Sequence, residues 1–446
     1  MKVRLSKNTG LTPDVIKSLI DSHKKEITRL DLLDSYYRSN APIMKRRKKD
    51  PTKSNNKLVT NYARYITTMS TGYFMGIPIQ IRCKDENLLD RLTAIFKYND
   101  EPDLNTTLAT NNSKYGYSYE LHYMDEQGRN RMAAVDPREI IYITDNTLND
   151  EPTAAIRYFE IKDAVDDNKK IYSIEVYTKD SILYYSMDGD SVALIDEQQH
   201  PFKDIPIIRY INNADEIGDY EPVLTLIDAY DKIQSDTAND FEELTDSFLL
   251  VSGEVLDVEQ ALRLKEVKVF NFPNKEGRVE FVTKNINDSA LENFKTRLDK
   301  DIHKNSYTPN MSDENFVGNS SGVSMAYKLQ GLEFLTGVKE QKFKKGLFRR
   351  VELLSNVLNI RTNQQMNFTD VEFIFTRNNP KNLVEIVEMA TDLTGIISNE
   401  TQLDLLPMVD KDQELKRLEQ EKKQQSEEMN LFDFNNDIQM YETKPE

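Results

Sequence analysis

The sequence predicts an α+β chain, and three observations carry that prediction. A strand-rich middle, residues 115–211, lies between segments with helical patterns. A single helical pattern from Ser321 to Leu358 runs 38 residues without a proline. At the usual rise it is roughly 57 Å long, more than a small globular domain needs. A polar loop rich in Ser, Gly and Asn leads directly into it.

Residues 11–38 read as helical, with Thr12 as N-cap, Pro13 at the first helical position and Asp14 in the first turn. A basic cluster follows at Lys45, Arg46, Arg47, Lys48 and Lys49. Lys57 to Tyr73 carries Val59, Tyr62, Ile66 and Met69 at helical spacing. Gly76-Ile77-Pro78 then turns the chain into a strand from Ile79 to Cys83. A hairpin is expected from Tyr117 to Val135 around Asp125-Glu126-Gln127-Gly128. Further strands are expected over 140–143, 154–161, 171–178, 181–186, 192–195 and 207–211. Asp188-Gly189 is a hairpin-turn dipeptide, and Pro206 stands just ahead of the last strand, where a missing N–H does least harm.

A second long helix is expected from Asp219 to Leu250, with Pro222 near its start and Gly253 past its end. Its apolar side is Leu226, Tyr230, Ile233, Phe241, Leu244 and Phe248. Its other side is acidic: Asp228, Asp231, Asp236, Asp240, Glu242, Glu243 and Asp246, beside a single Lys232. A short helix over 255–265 and a hairpin pairing 267–272 with 279–283 follow. A third helix, 289–304, sets Leu291, Phe294, Leu298 and Ile302 on one stripe. Two helices therefore flank a small excursion, a stem carrying a knob. Beyond the longest helix come a strand at 371–375, helices at 383–397 and 401–406, a Glu/Lys/Gln-rich helix at 411–428 and an acidic tail.

Composition narrows the function. The 446 residues are 38% apolar and 30% charged, with no tryptophan. That is lean for one large core and suits a chain that shares surface with neighbours or carries long solvated helices. The net charge of −17 argues against a general nucleic-acid binder, since phosphate neutralisation needs clustered cations. Cys83 is the only cysteine, so no intramolecular disulfide forms, as suits a reducing compartment. No secretory leader and no membrane-spanning apolar run is read.

Catalytic signatures are missing from the sequence. It contains no G-x-x-x-x-G-K-[ST], no G-x-S-x-G and no H-E-x-x-H. His23, His122, His200 and His303 are scattered, so no metal or cofactor is expected. Asp188-Gly189-Asp190 reads as a turn rather than a calcium loop. On the longest helix, Lys339, Lys342, Lys344, Lys345, Arg349 and Arg350 are six cations within twelve residues. The bland reading is a soluble helix face with partners such as Glu340 and Glu352.

Four strings carry a family resemblance. One runs from Asn61-Tyr62-Ala63 to Gly72-Tyr73-Phe74-Met75-Gly76-Ile77-Pro78. Another runs from Asp219-Tyr220-Glu221-Pro222 through Asp228-Ala229-Tyr230-Asp231 to Ser235-Asp236-Thr237-Ala238-Asn239-Asp240. The third joins Pro309-Asn310-Met311-Ser312-Asp313-Glu314-Asn315-Phe316 to Gly318-Asn319-Ser320-Ser321-Gly322-Val323. The last joins Lys328-Leu329-Gln330-Gly331-Leu332-Glu333 to Lys342-Phe343-Lys344-Lys345-Gly346-Leu347. In these, and over nearly its whole length, the chain resembles the portal, or head–tail connector, proteins of tailed bacteriophages, in the class found in siphophages of Gram-positive hosts.

The resemblance implies a homo-oligomeric ring, usually about twelve subunits, at one capsid vertex. It implies a channel for double-stranded DNA, docking of terminase, contacts with capsid, scaffold and head-completion proteins, no membrane, and no enzymatic activity. Residues 1–218 would form the wing, 219–253 and 288–308 the stem helices, and 254–287 the clip. Residues 309–322 would form the tunnel loop, 323–382 the long helix and return to the wing, and 383–446 the crown and acidic tail. In that frame Asn310, Ser312, Asp313, Asn315, Phe316 and Asn319 are the tunnel-loop candidates, with Gly318 and Gly322 as its flexible points. Asp236, Asp240 and Glu243 are candidate channel-wall acids that repel phosphate. Lys342, Lys345 and Arg349 are intersubunit candidates, and Lys265, Lys268, Lys275 and Arg278 are terminase-docking candidates. The competing readings are a non-ring scaffold or adaptor, and a metal-dependent nuclease of the assembly module.

Overall fold

The first strand and helix, β1 (Lys2–Arg4) and α1 (Pro13–Tyr37), set the frame for the sheets that follow. Thr12 caps α1, its Oγ1 accepting from the Val15 N–H at 3.5 Å. The computed structural model describes residues 1–6, 9–48, 53–162, 170–244, 248–252, 259, 278–282, 288–312, 322–363, 365–378, 383–406, 409, 411 and 413–424. They fall into two units, Met1–Asn310 with Leu329–Asn378, and Met311–Lys328 with Asn379–Glu446.

In the first unit, α2 (Tyr62–Met75) starts later than the spacing from Val59 implies, because residues 54–60 carry no helical turn. Strand β2 (Gln80–Cys83) leads into α3 (Glu86–Tyr98) and α4 (Glu101–Tyr115), two helices that the sequence reading left unassigned. For α3 the signal is present: Asp85 caps it, and Leu88, Leu92 and Phe96 recur every fourth residue and are buried.

The middle of the chain supplies β3 (Tyr117–Met124), β4 (Asn130–Val135), β5 (Ile140–Thr144), β6 (Pro152–Lys162), β7 (Lys170–Tyr177), β8 (Ser181–Asp188), β9 (Ser191–Gln199) and β10 (Ile207–Ile211). Six strands form one sheet in the order β1-β5-β6-β7-β8-β9, parallel only between β1 and β5. Gly189 makes the β8–β9 turn at φ 57°, a conformation that favours glycine. A second, antiparallel sheet runs β10-β3-β4. The first half of α1 lays Ile16, Leu19 and Ile20 on Ile141, Ile156, Ile174 and Val176 of the larger sheet. Its second half carries Leu30, Leu33 and Tyr36 into another core, with Tyr62, Ala63 and Ile66 of α2 and Tyr117 and Tyr119 of β3.

The helix expected over Asp219–Leu250 is corrected. Helix α5 spans only Leu224–Leu244, and Phe248–Ser252 is a strand, β11. It pairs antiparallel with β12 (Arg278–Val282), Phe248 opposite Val282. The expected partner of β12, residues 267–272, lies outside the described residues. A short apolar run such as Phe248-Leu249-Leu250-Val251 does not distinguish helix from strand by periodicity, which is why the reading failed there.

Helix α6 (Asp288–Asn305) packs against α5, and its Ile302 enters the core of α1 and α2. Helix α7 (Gly322–Thr362) is 41 residues long. From Leu329 onward its buried stripe is Leu329, Leu332, Thr336, Lys339, Phe343, Leu347, Arg350, Leu354 and Val357, at three- and four-residue steps. Gly346 is essential to that packing, since a Cβ there would overlap the Tyr210 ring, which also meets Phe343 at 4.6 Å between centroids. Strand β13 (Val371–Ile374) returns to pair with β2, Phe373 opposite Ile81.

The second unit contains α8 (Leu383–Asp392), α9 (Asn399–Asp404) and a helix over 413–424. Helix α8 stops short of the expected Ile397, where a single bridge joins Thr394 and Ile397. Gln402 Nε2 donates to the Ala390 carbonyl at 2.7 Å and ties α9 to α8. Among the described residues, no helix is long and apolar enough to cross a membrane.

Candidate functional site: two charged helices and the root of a loop

Four of the six clustered cations on α7 are fasteners within the chain. Arg350 is fully buried, with Nη2 2.7 Å and Nε 2.9 Å from the two oxygens of Glu120 on β3, and Nη1 3.0 Å from Glu101 at the start of α4. The Glu120 carboxylate also accepts from the Tyr210 hydroxyl at 2.7 Å and lies 2.7 Å from His122 Nε2. Burial pushes its pKa up, but Arg350 and His122 outweigh that and hold it down at about 2. Glu101 goes the other way: burial keeps its pKa raised in spite of Arg350. The anion facing Arg350 is therefore chiefly Glu120.

Lys339 is also buried, bonded to Asp219 and 2.5 Å from Ser70 Oγ of α2. Asp219 accepts further bonds from Ser113 Oγ at 2.5 Å and Asn212 Nδ2 at 2.8 Å. Arg349 bridges Asp204 at 2.6 Å and Glu352 at 2.7 Å, and Lys344 meets Glu340 at 2.8 Å. Lys342 and Lys345 have no ion-pair partner among the described residues, and Lys345 is exposed. Of the three intersubunit candidates, then, Arg349 is tied inside its own chain while Lys342 and Lys345 are not.

The acids of α5 are used differently. Asp231 does not sit on an outer acidic face. It is fully buried, and its Oδ1 accepts from the Thr60 N–H at 2.8 Å. One turn on, Ser235 Oγ accepts from the Leu58 N–H at 2.9 Å. One turn further, Asn239 Oδ1 accepts from the Asn56 N–H at 2.6 Å. Acceptors four residues apart on a helix advance about 6 Å, and alternate N–H groups of extended chain advance about 6.6 Å, so the two rows stay in register over three rungs.

Asp228 accepts from the Tyr36 hydroxyl at 2.8 Å. Asp236, half exposed, meets Arg46 Nη1 at 2.5 Å, and Arg46 also holds the Asn56 carbonyl at 2.6 Å. Arg46, one of the five clustered cations, is thus folded onto α5. Asp240 is half-buried, and the side chain of Glu243 lies outside the described residues. Burial, with Asp228 nearby, raises the Asp231 pKa to about 6 despite the Thr60 N–H.

The described residues ahead of the expected tunnel loop are held by aromatic side chains. Asp299 of α6 accepts from the Tyr62 hydroxyl at 2.7 Å and from Asn310 Nδ2 at 2.9 Å. The Tyr65 hydroxyl donates to the Pro309 carbonyl at 2.9 Å. His303 packs edge-on to Tyr62 and Tyr65, with Nδ1 3.0 Å from the Thr308 carbonyl. Ser312 is exposed. Asp313, Asn315, Phe316 and Asn319 lie outside the described residues, as do Lys265, Lys268 and Lys275, and so does the side chain of Arg278 at the start of β12. The sequence offered no spacing that joins Glu101, Glu120 and Asp219 to α7, or Tyr62 to Asp299.

Buried ion pairs thus fasten the Lys339–Arg350 stretch of α7 to Asp219, to β3 and to the start of α4. Residues 16–428 match the family model described as Phage portal protein, SPP1 Gp6-like, and the chain belongs to that family. The portal protein of Bacillus phage SPP1 is 26% identical over 458 residues, covering 94% of this chain and 88% of the relative. The portal protein of Clostridium phage phiCD119 is 23% identical over 451 residues, covering 94% and 98%. A solved structure titled "Neck of empty GTA particle computed with C6 symmetry" is similar at a TM-score of 0.43 and 12% identity, over 84% of this chain and 93% of that one. The chain is a phage portal protein, a head–tail connector and hence a virion component, as the four strings implied.

Proposed function

We propose that this portal protein assembles as a closed ring of about twelve subunits at one capsid vertex, with double-stranded DNA passing along its axis during packaging and ejection. The ring assembles in the host cytoplasm and is structural, with no catalysis of its own. Helices α5 and α6 serve as the stem, residues 254–287 as the clip and 1–218 as the wing. Residues 309–322 are the tunnel loop, 323–382 the supporting helix and its return, and 383–446 the crown and tail. Terminase docks on the clip through Lys265, Lys268, Lys275 and Arg278, and capsid, scaffold and head-completion proteins take other faces. Asp236, Asp240 and Glu243 add negative charge to the channel wall and keep phosphate from adhering. Asn310, Ser312, Asp313, Asn315, Phe316 and Asn319 belong to a ring of loops around the DNA.

The family match over residues 16–428 is the observation that carries this reading. Lys342 and Lys345 support it: among the described residues they have no ion-pair partner, on a helix whose other clustered cations all have one. Electron microscopy of the purified protein, with native mass spectrometry on the same sample, is the test. Closed rings with an open axial channel are expected. A folded monomer or dimer at every salt concentration overturns the ring.

A further inference from the structure

The three rungs between residues 56–60 and α5 are an unusual way to hold a stretch of chain. An extended segment normally satisfies its N–H groups in a sheet or in water. Here the N–H groups of Asn56, Leu58 and Thr60 go to side chains of one helix: Asn239, Ser235 and Asp231. Arg46 ties the same segment to α5, binding the Asn56 carbonyl, Asn55 Oδ1 at 3.0 Å and Asp236. The segment joins α1 and its following turn to α2, so its attachment fixes where α5 lies against both.

We propose that residues 55–60 form a pH-sensitive strap, latched to α5 through Asp231, Ser235 and Asn239 and held more tightly when Asp231 carries a proton. The geometry gives the reason. Asp231 is completely buried, and of its two carboxylate oxygens Oδ1 takes the Thr60 N–H while Oδ2 has no hydrogen-bond partner among the described residues. An anion in such a place is costly unless a cation faces it. Among the described residues none is placed to do so. From α5 itself comes Asp228, a second anion. From α1 comes the Tyr36 hydroxyl, which is bonded to Asp228. From the turn after α1 comes Arg46, which is bonded to Asp236 instead. From α2 comes Tyr62, whose hydroxyl goes to Asp299 of α6. The strap itself offers only the neutral Thr60 N–H.

The direction of the response follows. With the strap closed, Asp231 is easier to protonate than an exposed aspartate; with the strap lifted, it returns to water and to the ordinary range. Opening therefore releases a proton and is favoured as pH rises from about 4 to about 6, above which the effect is complete. Lifting the strap also releases Arg46 from Asp236 and frees a cation beside the Lys45–Lys48 cluster.

Hydrogen exchange of the full-length protein, read by mass spectrometry on peptides covering residues 53–61 and corrected for the intrinsic pH dependence of exchange, tests the strap. Linkage predicts about tenfold more frequent opening at about pH 7.5 than at about pH 5. Asp231→Asn, which keeps an acceptor for Thr60, is expected to remove that pH dependence. Asp228→Asn takes away the repelling anion and leaves the latch intact, so it is expected to shrink the pH dependence; it serves as the second variant should Asp231→Asn not fold. Ser235→Ala is expected to speed exchange equally at both pH values. A wild-type protein with no pH dependence in this segment overturns the proposal. So does Asp231→Asn or Asp228→Asn retaining the full wild-type dependence.

Discussion

Helices α7 and α5 both read as charged stripes in the sequence, and the fold treats their charges in opposite ways. On α7 the cations turn inward and meet carboxylates: Arg350 with Glu120 and Glu101, Lys339 with Asp219. On α5 the acids meet mainly neutral donors: Thr60 N–H for Asp231 and the Tyr36 hydroxyl for Asp228. Opposite charges buried together depend on each other, because removing one strands the other in a low dielectric. A carboxylate held by neutral donors has another way to lower its energy, which is to take a proton. The first arrangement is rigid and the second adjustable. The rigid one fixes α7 against β3 and α4, and the adjustable one sits where a single segment runs alongside α5.

The difference is open to a direct break. Arg350→Met leaves Glu120 and Glu101 buried and facing each other without a cation, and is expected to cost about 3–5 kcal/mol. Denaturant unfolding followed by tyrosine emission measures this, since the chain has 22 tyrosines and no tryptophan. Asp231→Asn at neutral pH removes an anion with no counter-ion and should cost far less. Equal losses in the two variants would erase the distinction. The acid response gives an independent sign. Glu120 is held at about 2, below its range in the unfolded chain, so its stabilisation is present above about pH 4.3 and is lost as pH falls towards 2.

A second test concerns the backbone of α7 rather than its charges. Gly346→Ala improves intrinsic helix propensity by about 1 kcal/mol. It also drives a methyl group into Tyr210, which cannot yield readily because its hydroxyl is bonded to Glu120. Overpacking of this kind costs about 1–3 kcal/mol, so a net loss in the same unfolding measurement is expected. A gain in stability would mean that α7 has room to lift off β10, and that the ion pairs rather than the packing fix its position.

The sequence made some of this legible and concealed the rest for identifiable reasons. Period-two strands around Asp188-Gly189, the Thr12-Pro13 helix start and the buried stripe of α7 are local patterns, so they could be read directly. The strand at Phe248–Ser252 could not, because four apolar residues in a row fit either state. The fasteners could not either, since Arg350 and Glu120 are 230 residues apart and Arg46 and Asp236 are 190 apart. An acidic or basic stripe shows only that charge is present. Which members are sunk, and against what, is decided by tertiary contacts that leave no periodic trace. The family strings fared better because they record a whole fold at once.

The smallest expected effect on folding is at Lys342 and Lys345, and it bears on the comparison most directly. Both lie on the helix whose other clustered cations are internally paired, and they are the two members of that cluster without an ion-pair partner among the described residues. Lys342→Glu with Lys345→Glu should change unfolding stability by no more than about 0.5 kcal/mol, as surface substitutions away from packed or paired groups do. Ring assembly should nevertheless fall sharply, because like charges then meet wherever the neighbouring subunit presents acids, and added salt should partly restore it by screening. Native mass spectrometry over a salt series reads both effects. Loss of stability with intact rings would reverse the assignment: the two lysines would then belong with Arg350 as internal fasteners, and the subunit contact would have to be made by other residues.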